Sequence, residues 1–263
     1  MNEIKKKIAV VSGAGRGVGA ATAEELGRRG FHVIVNYLRS ADAAAGVVAA
    51  IETAGGSAQA VQADVCDEAE VTRMIEQVHG EHGRIDVLVV NANTAQPPFE
   101  PLEYLRWDAF AAKVNGELSG AFFLTQRVLA VMREQRSGRI VYISSTAADV
   151  VGAVMAHSTA KAALNTFSRH VAADAARYGV AVNTVALGMV ATDATAQVFP
   201  DAIKKHLAGR SVLGRMLEPA DVASSIASVV ADGFGAAAGQ VIRVDGGFEV
   251  LEQQLDGVAS MLG

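Results

Sequence analysis

Four glycines at alternate positions, from Gly13 to Gly19, follow an apolar run at residues 8–12 and precede a helical stretch at residues 20–29. Glycines let the backbone approach a pyrophosphate closely, and a helix N-terminus offers free amides and the positive end of its dipole. A glycine-rich tight turn is the alternative, but the strand–loop–helix context favours binding of a dinucleotide. The residues expected to contact it are Gly13, Arg16, Gly17, Val18 and Gly19.

The choice between the two nicotinamide cofactors is expected to depend on the end of the second strand, predicted at residues 32–36. An acidic residue there would hold the ribose hydroxyls of NAD and repel a 2′-phosphate. This chain has Asn36 instead, with Arg39 three residues later and Arg16 in the glycine loop. Arginine binds phosphate in bidentate fashion, so these residues favour NADP(H). The alternative is that both arginines simply face solvent.

Strands and helices are predicted to alternate along the whole chain. Short apolar runs predict strands at residues 8–12, 32–36, 58–63, 86–90, 139–143, 180–185 and 240–244, with helical stretches between most of them. This order predicts an α/β fold of the Rossmann type, a doubly wound parallel sheet of about seven strands with helices on both faces. We expect a single domain over residues 1–263, in which residues 187–218 interrupt the alternation and form a lid over a small-molecule substrate.

Composition narrows the classes of function. Hydrophobic residues make up 51% and charged residues 19% of the chain, as in ordered globular proteins. The net charge of −5 gives no general attraction to nucleic acid or to an anionic membrane, and no apolar run reaches the roughly 20 residues that span a bilayer. The single cysteine, Cys66, and the lack of a signal-peptide pattern lead us to expect a cytoplasmic protein. No histidine pair has metal-ligand spacing together with a nearby cysteine or carboxylate cluster, so no metal site is expected.

Taken together, these residues resemble the short-chain dehydrogenase/reductase family over nearly the whole chain, and most closely its branch of β-ketoacyl carrier-protein reductases. The glycine loop is similar to the family's Thr-Gly-x-x-x-Gly-x-Gly, with Ser12 in place of the threonine. The resemblance implies an NADP(H)-dependent oxidoreductase that acts on a ketone or hydroxyl of a small, acyl or polyketide-like substrate and forms a dimer or tetramer. It implies further cofactor contacts from Asp64 and Val65 at the adenine ring, and from Asn91, Lys161 and Thr192.

The resemblance also assigns catalytic roles. Ser145, the second of a serine pair that ends the fifth strand, matches the serine that orients the substrate. Lys161 matches the lysine that holds the nicotinamide ribose, and Asn115 matches a helix asparagine that supports a proton-relay water. A turn at the strand end would also explain a serine, and a buried polar group at a helix kink is the alternative for Asn115.

The chain departs from the family pattern at three positions. Asn93 stands where the family has a glycine, Leu187 stands where it has a proline, and His157 replaces the tyrosine of Tyr-x-x-x-Lys. His157 and Lys161 are four residues apart on a predicted helix, so they share one face. Positive charge from the lysine and the oxidised cofactor is expected to lower the pKa of His157 below roughly 6.5. The neutral imidazole suits a base for alcohol oxidation better than an acid for ketone reduction.

Three functions remain open from the sequence. Retention of Ser145, Lys161 and Asn115 favours an NADP(H)-dependent reductase or dehydrogenase. Loss of the tyrosine, together with Asn93 in place of the family glycine, favours two other functions. One is a non-redox isomerase or dehydratase that uses the same pocket. The other is a catalytically silent NADP-binding subunit of a mixed oligomer.

Overall fold

The computed structural model describes residues 6–151, 154–198 and 200–248. Seven strands alternate with eight helices along these ranges. The strands are β1 (Ile8–Val11), β2 (His32–Tyr37), β3 (Ser57–Gln62), β4 (Val87–Val90), β5 (Gly138–Ser145), β6 (Val180–Leu187) and β7 (Val241–Val244). The helices are α1 (Gly17–Arg28), α2 (Ala41–Thr53), α3 (Glu68–His82), α4 (Trp107–Gln135), α5 (Met155–Ala175), α6 (Asp193–Val198), α7 (Asp201–Gly209) and α8 (Pro219–Val229).

The strands form one parallel sheet in the order β3-β2-β1-β4-β5-β6-β7. β1 and β4 are short apolar runs that are buried along their whole length, as expected for strands covered on both faces. The strand order reverses direction between β1 and β4. In a doubly wound sheet, ligands bind at this point, in the crevice at the carboxyl ends of the strands. The predicted seven-stranded Rossmann-type sheet is confirmed.

Two apolar layers cover the sheet. Ile34 and Leu88 enter the layer formed with α3, α4 and α5, whereas their neighbours Val33 and Val89 enter the layer formed with α1, α2 and α8. This division follows from the strand geometry, in which successive side chains point to opposite faces. The two layers fix α4 and α5 on one face of the sheet and α1 on the other, with the crevice between them.

The interruption at residues 187–218 contains the two short helices α6 and α7. Val190 and Leu217 form a parallel bridge, in which the Ala191 N–H donates to the Leu217 carbonyl at 2.7 Å. The two ends of the segment therefore lie beside each other. Residues 1–5 and 249–263, which the single-domain expectation includes, lie outside the described residues. None of the described helices is both long enough and apolar enough to cross a membrane.

Candidate active site

The glycine loop joins β1 to α1 through two residues in the left-handed region, Gly13 (φ 62°) and Gly17 (φ 57°). A Cβ on Gly19 would lie 2.4 Å from the Gly13 carbonyl oxygen and 2.5 Å from Asn91 Nδ2, so only glycine fits there. α1 has no side-chain N-cap and no acidic residue in its first turn, and Val18 packs its side chain against the apolar layer below. The free amides of this turn are therefore open to an anion, and the loop fits a pyrophosphate.

Asn91, directly after β4, holds the glycine loop to the sheet. Its Nδ2 donates to the carbonyl oxygens of Ser12 (2.9 Å) and Gly13 (3.2 Å), and its backbone N–H donates to Ser12 Oγ (2.9 Å). Both side-chain donors are thus used inside the protein. The side chain thus fixes the shape of the loop, and the contact between Asn91 and the cofactor that the resemblance implies stays a prediction.

Asn36 supports the same loop from the other side. Its Oδ1 accepts a hydrogen bond from the Gly13 N–H (3.2 Å), and its Nδ2 donates to the carbonyls of Ala63 (3.1 Å) and Val61 (3.4 Å). The side chain is only 1% exposed. The expectation that Asn36 reaches the cofactor is therefore corrected. β2 extends one residue further than predicted, to Tyr37, and the strand alternation turns Asn36 inward.

The carboxyl end of β2 is nevertheless free of acidic residues, since it continues as Tyr37, Leu38, Arg39 and Ser40. Arg39 is exposed, and so is Arg16 of the glycine loop. β1 and β2 are parallel neighbours, so both arginines follow strands at the same edge of the sheet. Within the described part of the chain neither guanidinium group makes a side-chain hydrogen bond or ion pair, which leaves both able to bind a ligand.

Asp64 and Val65 follow β3 at this edge. Asp64 Oδ1 accepts from the Cys66 N–H (2.9 Å), and the Asp64 N–H donates to Glu70 (2.7 Å). Val65 is buried against α4, where a Cβ on Gly120 would lie 3.0 Å from Val65 Cγ2. Because its side chain belongs to the core, a contact between Val65 and an adenine ring would have to come from its backbone.

Thr192, in the predicted lid, lies beside the glycine loop. A Cβ on Gly17 would lie 3.6 Å from Thr192 Cγ2, which is an ordinary van der Waals distance. The Thr192 N–H donates to Thr195 Oγ1 (2.9 Å), so the residue is held at the start of α6. The structure thus brings Thr192 to the first turn of α1, where the sequence predicted a cofactor contact.

Ser145 is the last residue of β5 and is half-buried. Its Oγ accepts from the Ala147 N–H at 3.1 Å, which leaves the hydroxyl proton available to a ligand. The preceding Ser144 is buried and points to the other side of the strand, and its Oγ has no partner among the described residues. This difference supports the choice of Ser145 over Ser144.

Lys161 is fixed between β5 and α4. The residue is 8% exposed, and its Nζ donates to the Ile143 carbonyl (2.7 Å) and to Glu117 Oε1 (2.5 Å). Ile143 precedes Ser145 by two residues on β5, so the ammonium group lies beside the carboxyl end of that strand.

His157 lies one turn before Lys161 on α5 and is half-buried. Its Nδ1 is buried and makes no hydrogen bond within the described residues. Burial lowers the pKa of His157 to about 4, and the charges of Lys161 and Lys113 act in the same direction, while Glu117 opposes them. The imidazole is therefore neutral near pH 7, in the direction that the sequence predicts.

Asn115 lies on the exposed side of α4, so the prediction that it supports a proton-relay water in the site is corrected. Two residues along a helix turn the side-chain direction by about 200°, so Asn115 and Glu117 face nearly opposite ways. The polar group that α4 brings to Lys161 is the buried carboxylate of Glu117.

Sequence reasoning missed both Glu117 and Lys113. Lys113 Nζ donates to Glu117 Oε2 (2.8 Å) and to Asn93 Oδ1 (2.7 Å). Burial alone would raise the pKa of Glu117, but the ammonium groups of Lys161 and Lys113 lower it to about 2. The signal that could have found the pair is periodicity, because Lys113 and Glu117 continue the same buried helix stripe as Leu124.

Two other histidines, His32 and His82, lie together at the amino ends of the strands, with ring centroids 4.7 Å apart. This is the end of the sheet opposite to the crevice. Among the described residues, no group of three or more histidine, cysteine, aspartate or glutamate side chains could hold a metal ion.

Known proteins match the chain in sequence and in fold. The profile of the family described as Enoyl-(Acyl carrier protein) reductase matches residues 13–249. A 3-oxoacyl-[acyl-carrier-protein] reductase from Synechocystis sp. is 38% identical over 94% of this chain and 98% of its own length. A cis-4-hydroxycyclohexanecarboxylate dehydrogenase from Sinomonas cyclohexanicum is 35% identical over 92% of this chain and 96% of its own.

The fold comparison agrees with the sequence matches. The crystal structure of acetoin dehydrogenase from Enterobacter cloacae is 27% identical and superposes with a TM-score of 0.84 over 97% of this chain and 100% of that chain. Together with the family profile, which includes the glycine loop, Lys161 and Thr192, these matches cover the whole crevice. The protein therefore belongs to the short-chain dehydrogenase/reductase family, close to the 3-oxoacyl-carrier-protein reductases, as an oxidoreductase acting on CH–OH or C=O groups.

Proposed function

We propose that this protein is an NADP(H)-dependent reductase or dehydrogenase that interconverts a ketone and a hydroxyl of a small, acyl or polyketide-like substrate. The observation that carries the proposal is that Ser145, His157 and the fixed ammonium group of Lys161 lie around the carboxyl end of β5. Relatives named as an acyl-carrier-protein reductase and a hydroxycyclohexanecarboxylate dehydrogenase support this substrate class.

The residues at the crevice fit a dinucleotide cofactor. The uncapped first turn of α1 and the narrow glycine loop would hold the pyrophosphate. Arg16 and Arg39, both exposed at the carboxyl edge of β1 and β2, would bind a 2′-phosphate on the adenosine ribose. No acidic side chain stands at residues 37–40 to repel that phosphate. These features favour NADP(H) over NAD(H).

Each side chain of the site has a distinct task. When bound, the nicotinamide supplies or accepts the hydride. Ser145 donates its free hydroxyl proton to the substrate oxygen and so orients the reacting carbon. The positive charge of Lys161 lies beside this oxygen and stabilises negative charge that develops there. Neutral His157 accepts the hydroxyl proton during oxidation and returns it during reduction.

The low pKa of His157 affects the rates of alcohol oxidation and ketone reduction in opposite ways. With a pKa of about 4, only about one imidazole in a thousand is protonated at pH 7. The reductive direction therefore lacks its proton donor at neutral pH, whereas the oxidative direction finds the base in the required form. We propose that alcohol oxidation is the favoured direction at neutral and alkaline pH.

A second candidate function has one observation in its favour. The Nδ1 of His157 has no hydrogen-bond partner among the described residues, whereas a catalytic base is usually oriented by a third group. This isolation favours a catalytically silent NADP-binding subunit that partners an active relative. Large exposed side chains on α4, Trp107 and Phe122, offer surface for assembly as a dimer or tetramer in either case.

One assay separates the two functions. We would follow the absorbance of the reduced nicotinamide with a panel of ketones and the matching alcohols, using the natural protein, His157→Tyr and His157→Ala. Turnover by the natural protein that falls at least about a hundredfold in His157→Ala supports the proposed proton carrier. Activity of His157→Ala within about twofold of the natural protein would contradict it.

Turnover only in His157→Tyr would instead identify a silent site that the tyrosine restores. Binding of NADPH, followed by fluorescence, must remain unchanged in that comparison. Light scattering coupled to gel filtration, alone and after mixing with an active relative, then tests whether the subunit assembles with itself or with a partner.

A further inference from the structure

Lys161 belongs to a cluster of three buried charges on α4 and α5, of which the other two, Lys113 and Glu117, have no place in the chemistry proposed above. The Lys113 side chain is fully buried, and the Glu117 side chain is 5% exposed. Each carboxylate oxygen of Glu117 accepts from a different lysine, Oε2 from Lys113 and Oε1 from Lys161. The cluster therefore holds two positive charges and one negative charge inside the protein.

Stability does not explain this cluster. Removing two ammonium groups and a carboxylate from water is costly, and well-packed apolar residues of similar volume are usually as stable as a buried ion pair or more so. The apolar stripe of α4 continues on the same face with Leu124 and Val128, so apolar side chains would suit the positions. A reason for the charges has to be sought in what they do to Lys161.

Lys113 is linked to Lys161 only through Glu117, although its charge also lowers the pKa of His157. Its ammonium group is inaccessible and is bonded to Asn93 Oδ1 and Glu117 Oε2, at 2.7 and 2.8 Å. Asn93 lies in the segment after β4, so this bond links α4 to the sheet. Glu117 is thus fixed from behind, while its other oxygen faces Lys161.

Lys161 has three N–H donors, of which two are used by Glu117 and by the Ile143 carbonyl. Two acceptors on different elements fix the position of the nitrogen, and the third N–H is left for the site. A lysine without the second acceptor would be free to change rotamer, because its side chain has four rotatable bonds.

We propose that Glu117 is a positioning residue, held by Lys113, which Asn93 anchors in turn, and that it fixes the ammonium group of Lys161 one helical turn from His157. This assignment deepens the proposed function and rests on it for its kinetic consequences. The position of Lys161 itself is independent of turnover, so it can be tested without a substrate.

The experiment compares two double variants with the same net charge. Lys113→Met/Glu117→Gln removes one positive and one negative charge but keeps a carbonyl oxygen that can accept from Lys161. Lys113→Met/Glu117→Leu makes the same change in charge and removes the acceptor. Glu68→Gln/Arg127→Met, which removes an exposed ion pair involving the same helix, is the matched control.

We expect Lys113→Met/Glu117→Gln and the control to keep kcat within about threefold of the natural protein. In Lys113→Met/Glu117→Leu we expect kcat to fall at least about tenfold with KM changed less than threefold, since the loss affects the transition state. Equal kcat values in the two double variants would overturn the proposal.

A second measurement uses the protein without cofactor or substrate. The imidazole of His157, identified by its absence in His157→Gln, is titrated by NMR in both double variants. If Glu117 positions Lys161, the pKa of His157 rises by about half a unit or more in the Leu variant, because the ammonium group leaves its place. Identical titrations overturn the positioning role even if no substrate is ever found.

Thermal unfolding monitors whether the variants fold. If the Leu variant does not fold, Lys113→Met/Glu117→Met replaces it, since methionine fills a similar length with a flexible apolar chain. Failure of the natural protein to turn over any substrate, together with a shifted titration, would contradict the proposed function and leave the positioning role standing.

Discussion

Lys161 Nζ is held 2.7 Å from the Ile143 carbonyl, one helical turn from the imidazole of His157. Together with the bond to Glu117, this contact keeps the positive charge in place when the histidine gains a proton. For a tyrosine, which the family resemblance implies at this position, a positive neighbour would lower the pKa of the phenol by favouring its charged form. For histidine the charged form is the cation, so the same neighbour lowers the pKa by opposing protonation.

The first prediction concerns the pH dependence of ketone reduction. Reduction needs protonated His157, whose fraction rises about tenfold for each pH unit below neutrality until the pH approaches its pKa of about 4. Initial rates of NADPH oxidation between pH 8 and pH 5.5 should rise with this slope. A flat profile, or one that rises toward alkaline pH, would show that the proton bypasses His157.

The second prediction concerns stability. His157 has a lower pKa in the folded protein, about 4, than the ordinary value of 6.5, so the unfolded chain takes up the proton first. The free energy of unfolding should therefore fall as the pH drops from about 6.5 toward 4, with about 2 kcal/mol of this loss by pH 5. Urea unfolding at pH 7 and pH 5 should show a smaller loss in His157→Gln than in the natural protein. Equal losses would mean that the imidazole is not kept neutral by its surroundings.

The third prediction concerns cofactor selection. Arg16→Ala/Arg39→Ala should weaken NADPH binding by about tenfold to a hundredfold, because hydrogen bonds from two charged groups to a phosphate are lost. The Kd for NADH should change less than about threefold. Arg169→Ala, which removes an exposed arginine from α5, is the control. Equal weakening for both cofactors would place the two arginines away from the 2′-phosphate.

The fourth prediction separates support of the loop from contact with the cofactor. Asn36→Ala leaves the Gly13 N–H and the Ala63 carbonyl without their side-chain partners and should cost about 2 kcal/mol in the free energy of unfolding. Asn36→Asp should cost at least as much, because a carboxylate cannot donate to the two carbonyls. The ratio of the NADPH and NADH dissociation constants should stay within about threefold. A changed ratio without loss of stability would restore a direct role at the ribose.

Features that depend on local patterns were predictable from the sequence. Most of the parallel strands are short apolar runs, and β3 alternates small apolar and polar residues, so seven strands could be counted, although their ends moved by one or two residues. The glycine loop was predictable because its conformation is set by residue type, and the shared helix face of His157 and Lys161 follows from their spacing alone.

Features that depend on the direction of a side chain could not be predicted from the sequence. Asn36 is still paired with β3 inside the sheet, and its side chain is held by the glycine loop and by two carbonyls at the carboxyl end of β3. Asn115 turns outward because of the helical phase of α4. The bond between Glu117 and Lys161 joins residues 44 positions apart on two packed helices. Helical periodicity could have shown that Lys113 and Glu117 lie on the buried stripe of α4, but no local pattern shows that Glu117 meets Lys161.

The two asparagines that support the glycine loop have a consequence for cofactor binding. Asn36 holds the Gly13 N–H, and Asn91 holds the Ser12 and Gly13 carbonyls, so the loop is shaped by the protein's own hydrogen bonds. A loop that is already ordered loses little conformational entropy when a ligand arrives. The affinity for the dinucleotide can therefore come from the amides of α1 and the arginines without an ordering penalty, and binding should be fast and close to rigid-body docking.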